Sequence, residues 1–194
     1  MLALLLLSTA AAAAEVKVRC STSAGPFTVT LQPAWSPLGV ERFLELVDSG
    51  FFTSMVLYRV IAGFLVQFGV AADPAVQAKY QNARFADEPN QVPFRAGTLS
   101  FAGNGDDSRT CHLFVALEPN GASLGGAAHE TTLGHLDDAG IETFAAVVNS
   151  HRASGYGDTG HLQAALVQHG NQAAAKYPDL DRIHKCWRLG KDEL

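Results

Sequence analysis

Two polar side chains interrupt apolar runs of this sequence, and one of them is a cation. Arg59 lies in the run 55–61 (MVLYRVI), and Gln67 lies in the run 64–70 (FLVQFGV). Burying an unpaired guanidinium is very costly, so Arg59 is paired, reaches water from an edge strand, or faces an open site. A cation held in such a site can donate hydrogen bonds to a lone pair or a negative charge that develops during a reaction.

The composition of both runs predicts β-strands. They are rich in β-branched and aromatic residues, and only Ala-Gly at 62–63 separates them. A β-hairpin is therefore expected. Strand alternation then places Arg59 on the same face as Leu57 and Ile61.

The remaining elements are predicted to be short strands and a few helices. A helix is expected over 37–49, with Ser36 as N-cap and Pro37 in the first turn, because apolar residues recur at helical spacing from Val40. A second helix is expected within Thr143–Ser150. Short strands interrupted by one or two helices indicate a small β-barrel in a single domain. Further strands are predicted at 16–20, 26–32, 98–102 and 112–117, polar loops at 103–109 and 154–160, and a short helix near 171–176.

Composition and missing motifs exclude several classes of protein. Hydrophobic residues make up 47% of the 194 residues and charged residues 17%, which excludes an intrinsically disordered chain. The net charge of −5 gives no electrostatic reason to bind nucleic acid. The three cysteines form no C-x-x-C motif, the serines form no G-x-S-x-G motif, and the seven histidines are scattered singly. A thiol oxidoreductase, a serine hydrolase and a metal site are therefore not expected.

Both ends of the sequence resemble targeting segments. Residues 2–14 (LALLLLSTAAAAA) form a short apolar run that ends in alanines before Glu15, which is typical of a cleaved signal peptide. This run is shorter than the ~20 residues that span a bilayer. Residues 191–194 read KDEL, the retrieval signal of the endoplasmic reticulum, so we expect the KDEL receptor as a partner and the lumen as the location. In this interpretation 1–14 are removed, and 15–190 hold the domain with a C-terminal extension.

The run that contains Arg59 and Gln67 is similar to a known family signature. Residues 58–69 (YRVIAGFLVQFG) resemble the cyclophilin signature, whose core is F-[FH]-R-V-I-x-x-F-x-x-Q-x-G. The resemblance extends from about residue 16 to 150, and the tail resembles a divergent subgroup of the family. Further matching pieces are 35–52 (the first helix), 85–88 (FADE, for F-x-D-E), 97–102 (GTLSFA, for G-x-L-S-M-A) and 112–115 (HLFV, for Q-F-F-I).

This resemblance implies a fold, an activity and a set of site residues. The fold is an eight-stranded antiparallel barrel capped by two helices. The activity is peptidyl-prolyl cis–trans isomerisation on proline-containing segments of unfolded proteins, by a monomer without metal or organic cofactor. Arg59 corresponds to the catalytic arginine and Gln67 to the polar residue beside it. One choice of gap places the pocket histidine at His129, with Ala128 and Glu130 as the alternatives. The substrate-binding positions are Phe64, Leu65, Ala102, His112, Phe114, Leu124 and His129.

Three positions depart from the family pattern. His112 replaces the usual glutamine, Gly103 replaces the usual asparagine, and Ser123 stands where many members have a tryptophan. Two functions therefore remain open. One is an isomerase that assists the folding of secretory proteins. The other is a catalytically weak or inactive module that binds proline-containing segments in the same groove.

The three cysteines predict one disulfide. Cys111 precedes His112, so strand alternation turns its thiol into the barrel if His112 faces the groove. Cys20 lies in the first strand and Cys186 near the end of the chain, and the termini of compact domains often lie close together. We therefore predict a Cys20–Cys186 disulfide and a buried free thiol at Cys111, against the alternative of three unpaired thiols.

Overall fold

A single antiparallel sheet carries the candidate site. The computed structural model describes residues 14–118, 123–154 and 159–190. Its strands are β1 (Val16–Thr22), β2 (Pro26–Leu31), β3 (Met55–Val56), β4 (Arg59–Ile61), β5 (Leu65–Phe68), β6 (Thr98–Phe101), β7 (Leu113–Ala116), β8 (Gly134–Leu136) and β9 (Arg182–Arg188). Its helices are α1 (Pro37–Asp48), α2 (Pro74–Tyr80), α3 (Asp138–Ser154), α4 (Thr159–His169) and α5 (Asn171–Ala174). The strands pair in the order β3-β9-β1-β2-β8-β6-β7-β5-β4.

The sheet curls into a barrel because its two outer strands are neighbours along the chain. β3 ends at Val56 and β4 begins at Arg59, so these residues lie at most about 11 Å apart. The antiparallel barrel is thus confirmed, with nine strands in the described residues where eight were expected. The predicted single strand 55–61 is wrong, because it breaks at Leu57, whose backbone N–H donates to the carbonyl of Asp181.

The barrel interior and α1 share one hydrophobic core. The predicted helix over 37–49 is confirmed as α1, which buries Val40, Phe43, Leu46 and Val47. Each such side chain contributes about 1.5–3 kcal/mol when it leaves water. The barrel residues of the same cluster include Val18, Val29, Val66, Phe68, Leu99, Phe101, Leu113 and Val115.

A residue distant in sequence caps the start of α1. Ser36 stands at the N-cap position, but its side chain makes no capping bond within the helix. Its hydroxyl donates to Glu88 Oε2 at 2.5 Å, and the same carboxylate accepts the backbone N–H groups of Leu38 and Gly39 at 2.7 and 3.1 Å. Glu88 therefore satisfies donors that the first turn leaves unpaired.

Several elements differ from the sequence-based expectation. The hairpin across 62–63 is confirmed as β4–β5, with Gly63 at a φ of 71° that favours glycine. Helix α2 was not predicted, although Asp73 caps it and proline begins it. The prediction of a loop over 154–160 is wrong for the last two residues, because α4 begins at Thr159. The second helix is longer than expected, and β8 and β9 were not predicted.

Parts of the targeting predictions lie outside the described residues. These parts are 1–13 of the expected signal peptide and the KDEL sequence at 191–194. Within the described ranges, no helix is long and apolar enough to cross a bilayer.

The predicted disulfide is confirmed. Cys20 and Cys186 lie directly opposite each other on β1 and β9, with their Cα atoms 4.1 Å apart, and they are bonded. Cys111 is a buried free cysteine, and burial raises its pKa to about 11. Its thiol therefore remains protonated at neutral pH.

The cysteine chemistry is expected to give one label per chain. When the protein is unfolded without reductant and alkylated, only Cys111 should react, and prior reduction should expose Cys20 and Cys186 as well. Mass spectrometry of the peptides counts the labels. Labelling of Cys20 in the unreduced sample would contradict the pairing.

Candidate active site

Arg59 and Gln67 face each other across the β4–β5 hairpin. They form a cross-strand pair, and Nη1 of Arg59 donates to Oε1 of Gln67 at 2.9 Å. Gln67 of β5 also pairs with Phe114 of β7, and Phe114 pairs in turn with Ser100 of β6. Four adjacent strands therefore present one row of side chains, which begins with the guanidinium and continues to an aromatic ring.

The guanidinium of Arg59 keeps most of its donors. No carboxylate among the described residues lies within 4.0 Å of it, and its side chain is only half buried. β4 is an edge strand of the sheet order, so the edge-strand interpretation of Arg59 is confirmed. Gln67 orients the group by accepting one hydrogen bond, and the remaining N–H groups are available to a ligand.

An apolar cluster lies beside this pair. Leu65, Phe114 and Leu124 are buried together, and Phe64 and Ala102 pack against them at the half-exposed edge. The structure thus brings these five predicted substrate-binding residues into one cluster. Two further members were not predicted from the sequence, Phe94 and Ala116.

Phe94 is the larger of the two missed residues. Its ring centroid lies 6.1 Å from that of Phe114, and only 4% of Phe94 is exposed. Phe94 comes from the irregular segment between α2 and β6, where no strand or helix periodicity marks an apolar residue as buried. The Val92-Pro93 pair before it is a weak signal for an ordered loop.

His112 takes the place of the family glutamine as a neutral group. Its Nδ1 lies 3.2 Å from the hydroxyl of Tyr58, which is fully buried. Burial lowers the pKa of His112 below its ordinary value and raises that of Tyr58 above its ordinary value. At neutral pH both groups are therefore uncharged, and one hydrogen bond joins them. A neutral imidazole carries one ring N–H donor, and the glutamine amide that it replaces also offers N–H donors.

Two partly buried histidines are expected to make the protein less stable in acid. Burial lowers the pKa of His112 and of His135, the latter to about 4. Below pH 6.5 the unfolded state then binds more protons than the folded state. The free energy of unfolding should therefore fall as the pH drops from 6.5 to 5.

Urea titrations at several pH values test this expectation. The double variant His112→Gln/His135→Gln should show a flatter dependence than the wild type across this window. His184 is an exposed histidine on β9, so His184→Gln serves as the control with an unchanged slope. Equal slopes in wild type and double variant would contradict the assignment.

Gly103 and His129 fit together. A Cβ built at Gly103 would lie 2.6 Å from Cγ and 2.8 Å from Cβ of His129, and 2.6 Å from Oγ of Ser108. The histidine therefore occupies the space that the family asparagine would need. The two alternatives for the pocket histidine do not fill this space with a ring. Ala128 has no ring, and the carboxylate of Glu130 accepts the backbone N–H of Gly125 at 2.7 Å.

A side chain at position 103 is expected to destabilise the protein because of this contact. Gly103→Ala should lower the free energy of unfolding by about 1–3 kcal/mol through overpacking. In a His129→Gly background the same change should cost less, with a coupling of at least about 0.5 kcal/mol. Denaturant titration of the wild type, both single variants and the double variant measures this coupling free energy. Additive effects would show that the two positions do not touch.

A buried ion network supports the loop that follows Ala102. The loop at 103–109 was expected to be polar, yet the side chain of Arg109 is 0% exposed. Its guanidinium donates to Glu88 Oε2 at 3.1 Å and lies 3.4 Å from Asp87 Oδ1, without hydrogen-bond geometry to the latter. It also stacks over the ring of Phe85 at 4.4 Å. The FADE segment thus connects this loop to the start of α1.

A polar cleft of about 360 Å³ adjoins the Arg59–Gln67 pair. We define the polar cleft by its lining residues Gln67, Gln81, Asn82, Arg84, Ala102, Gly103, Asn104, Ser108, Thr110, His112 and Gln163. It therefore joins Gln67 and His112 to residues that the sequence did not assign. In the part of the chain that the structure describes, no group of three or more histidine, cysteine or acidic residues is placed to hold a metal.

Comparison with known proteins assigns the chain to a family. The family model for cyclophilin type peptidyl-prolyl cis-trans isomerases matches residues 16–159. The chain belongs to this family.

Individual relatives agree with the family assignment. Peptidyl-prolyl cis-trans isomerase-like 1 of Aspergillus niger is 32% identical over 108 residues, which cover 53% of this chain and 65% of the relative. Peptidyl-prolyl cis-trans isomerase A of Dickeya dadantii is 31% identical over 111 residues, covering 57% and 58%. The chain thus spans less than two thirds of the length of both relatives. A crystal structure of a cyclophilin type isomerase from Cryptosporidium parvum has the same fold, with a TM-score of 0.66 and 22% identity over 92% of this chain and 99% of that chain.

Proposed function

We propose that this protein catalyses cis–trans isomerisation of the peptide bond before proline. The observation that carries the proposal is the half-buried guanidinium of Arg59. Gln67 holds it from one side, it has no described carboxylate within 4.0 Å, and an apolar cluster lies next to it. Such an arrangement suits a substrate with one apolar ring and one atom that becomes a hydrogen-bond acceptor.

The chemistry of the reaction explains these residue types. Rotation about the bond before proline has a barrier of roughly 18–20 kcal/mol, which comes from amide resonance. At the twisted geometry the proline nitrogen becomes pyramidal and gains a lone pair. Arg59 donates a hydrogen bond to that nitrogen, an interaction that the planar ground state lacks. Each tenfold increase in rate needs about 1.4 kcal/mol of transition-state stabilisation. A few such interactions are therefore sufficient to raise the rate by several powers of ten.

The other residues bind the substrate around this step. The proline ring binds at the edge of the apolar cluster, against the side chains of Phe64, Leu65, Phe114 and Leu124. Ala102, His112 and His129 lie beside the peptide chain, where backbone N–H and C=O groups and the imidazole of His112 bind it. No proton is transferred in the reaction, so the scheme requires no general base.

The proposed location is the lumen of the endoplasmic reticulum, where the enzyme would assist the folding of secretory chains as a monomer. The signal-like run at 2–14 and the KDEL sequence at 191–194 support it. The Cys20–Cys186 disulfide supports it independently, because such bonds persist in oxidising compartments. Secretion of the protein from cells when 191–194 are removed would agree with retrieval by the KDEL receptor. A cytosolic location of the full chain would refute it.

Refolding of a protein whose slow phase is limited by proline tests the function on a folding chain. Unaided isomerisation takes tens to hundreds of seconds, so catalysis is easily resolved. Catalytic amounts of the full chain should shorten the slow phase in proportion to the enzyme concentration. An unchanged slow phase would contradict the proposal.

A binding module without catalysis is the second candidate function. The departures from the family at Gly103 and His112 favour it. Against it, His129 occupies the space above Gly103, and His112 offers a donor like the glutamine it replaces. A silent module would bind the refolding chain and leave the slow phase unchanged or retard it.

A further inference from the structure

The tip of the loop at 103–109 contains an asparagine that is followed by a glycine. Asn104 and Gly105 are both exposed, and Gly105 has a φ of 94°, a conformation that side chains of other residues rarely adopt. A Cβ built at Gly105 would meet no described atom within 4 Å. The backbone of the tip therefore requires glycine, while the space around it is open to solvent.

Hydrogen bonds hold the loop on both sides of this pair. The backbone N–H of Asn104 donates to Oγ of Ser108 at 2.7 Å, and that hydroxyl donates to the carbonyl of Gly105 at 2.6 Å. Further along, Asp87 and Asp107 each accept the backbone N–H of the other, at 2.8 and 2.7 Å. The tip is thus a closed turn whose base is fixed to the FADE segment.

The two groups that could react within this turn are not engaged. Among the described residues, none forms a hydrogen bond with the side-chain amide of Asn104 or with the backbone N–H of Gly105. Asn90 differs, because its amide donates to the carbonyl of Gly125 at 3.4 Å and accepts the backbone N–H of Thr132 at 3.2 Å. Asn104 therefore has a freely rotating amide beside a backbone nitrogen that has no side chain to shield it.

We propose that Asn104 and Gly105 form a self-modifying site, at which Asn104 converts to aspartate and isoaspartate without an enzyme. The backbone nitrogen of Gly105 loses its proton and attacks Cγ of Asn104. A bond forms between these two atoms, the bond from Cγ to Nδ2 breaks, and ammonia leaves with a proton. Water then opens the cyclic imide. Cleavage between the Gly105 nitrogen and Cγ gives aspartate, and cleavage between that nitrogen and the main-chain carbonyl carbon of Asn104 gives isoaspartate.

Both products change the edge of the candidate site. Asn104 lines the polar cleft together with Gln67 and His112, so each conversion places a carboxylate there and adds one negative charge to the net charge of −5. Isoaspartate also adds one carbon atom to the main chain between Asn104 and Gly105. The hydroxyl of Ser108 bonds to the backbone on both sides of this junction, so the turn cannot keep its present closure.

Peptide mapping of the aged full chain tests the proposal. The protein is incubated in buffers of neutral to mildly alkaline pH made with ¹⁸O-labelled water, then digested with trypsin, so that Asn104 lies in peptide 96–109 and Asn90 in peptide 85–95. Asn104 should convert at least about tenfold faster than Asn90, which must first break two hydrogen bonds. The rate should rise with pH, because the nitrogen of Gly105 must lose its proton, and each product should contain one ¹⁸O atom.

A variant and an internal comparison complete the test. Asn104→Gln keeps an amide but requires a larger ring, so peptide 96–109 of this variant should remain unconverted. Asn120-Gly121 is a second such pair in the sequence, outside the described residues, and it falls in a different tryptic peptide. The inference does not depend on the proposed isomerase function. Equal rates at Asn104 and Asn90, or conversion of Asn104 to aspartate without any isoaspartate, would overturn it.

Discussion

Replacing Arg59 with alanine is expected to lower kcat/KM for an Ala-Pro peptide by at least about tenfold, since loss of one transition-state donor costs 10²–10³ in some enzymes. The physical reason is the loss of the hydrogen bond to the pyramidal nitrogen. The fold should remain intact, because Arg59 is only half buried and, among the described residues, its side chain is hydrogen-bonded to Gln67 alone. A peptide isomerisation assay at matched thermal stability measures the change.

Two further variants sharpen this test. Gln67→Ala leaves the cation but removes the acceptor that orients it, so its loss should be smaller than that of Arg59→Ala. Arg19→Ala removes an exposed arginine on β1, away from the hairpin, and should retain wild-type kcat/KM. Wild-type activity in Arg59→Ala would contradict the role of the guanidinium.

The largest effect on stability is expected at Arg109. Arg109→Met should lower the free energy of unfolding by about 3–5 kcal/mol, because it leaves the carboxylates of Asp87 and Glu88 mostly buried beside an apolar side chain. Their side chains are 14% and 10% exposed. Glu88 also caps α1, so the damage extends to that helix. Urea unfolding monitored by circular dichroism gives the difference.

An exposed ion pair provides the matched control. Arg188 contacts Asp48 in a pair whose side chains are 44% and 53% exposed, so Arg188→Met should cost less than about 1 kcal/mol. The compensated variant Arg109→Met/Asp87→Asn/Glu88→Gln should recover part of the loss. Equal costs at Arg109 and Arg188 would show that burial of the network has no energetic consequence.

Local patterns predicted those parts of the molecule whose signals are short-range. The β4–β5 hairpin follows from two β-rich runs around 62–63, and α1 follows from its apolar spacing. The Cys20–Cys186 disulfide required only strand alternation and the proximity of the chain ends. In each case the deciding residues lie within one element or at the termini.

Long-range compensation explains what the sequence did not predict. Arg109 reads as a polar loop residue, and its burial depends on carboxylates about twenty positions away. Leu162 and Leu166 of α4 are buried in a cluster that includes Tyr58 and Val70, which are distant in sequence. A one-dimensional pattern contains no information on such partners.

The departures from the family pattern show the same effect within the site. Gly103 looks like the loss of a side chain until His129 is seen in the space above it. His112 looks like a replaced amide until its Nδ1 is seen hydrogen-bonded to the hydroxyl of Tyr58. Both substitutions are explained by a second residue, and neither second residue is adjacent in sequence.

Exchange spectroscopy on a proline-containing peptide at equilibrium tests the central claim most directly, because it separates catalysis from binding. Nuclear magnetic resonance resolves the cis and trans forms of an Ala-Pro peptide, and uncatalysed interconversion is too slow to connect them. With catalytic amounts of the full chain, the mechanism predicts exchange cross-peaks between the two forms that disappear with Arg59→Ala. Shifts that report peptide binding to the wild-type protein without any cross-peaks would contradict it.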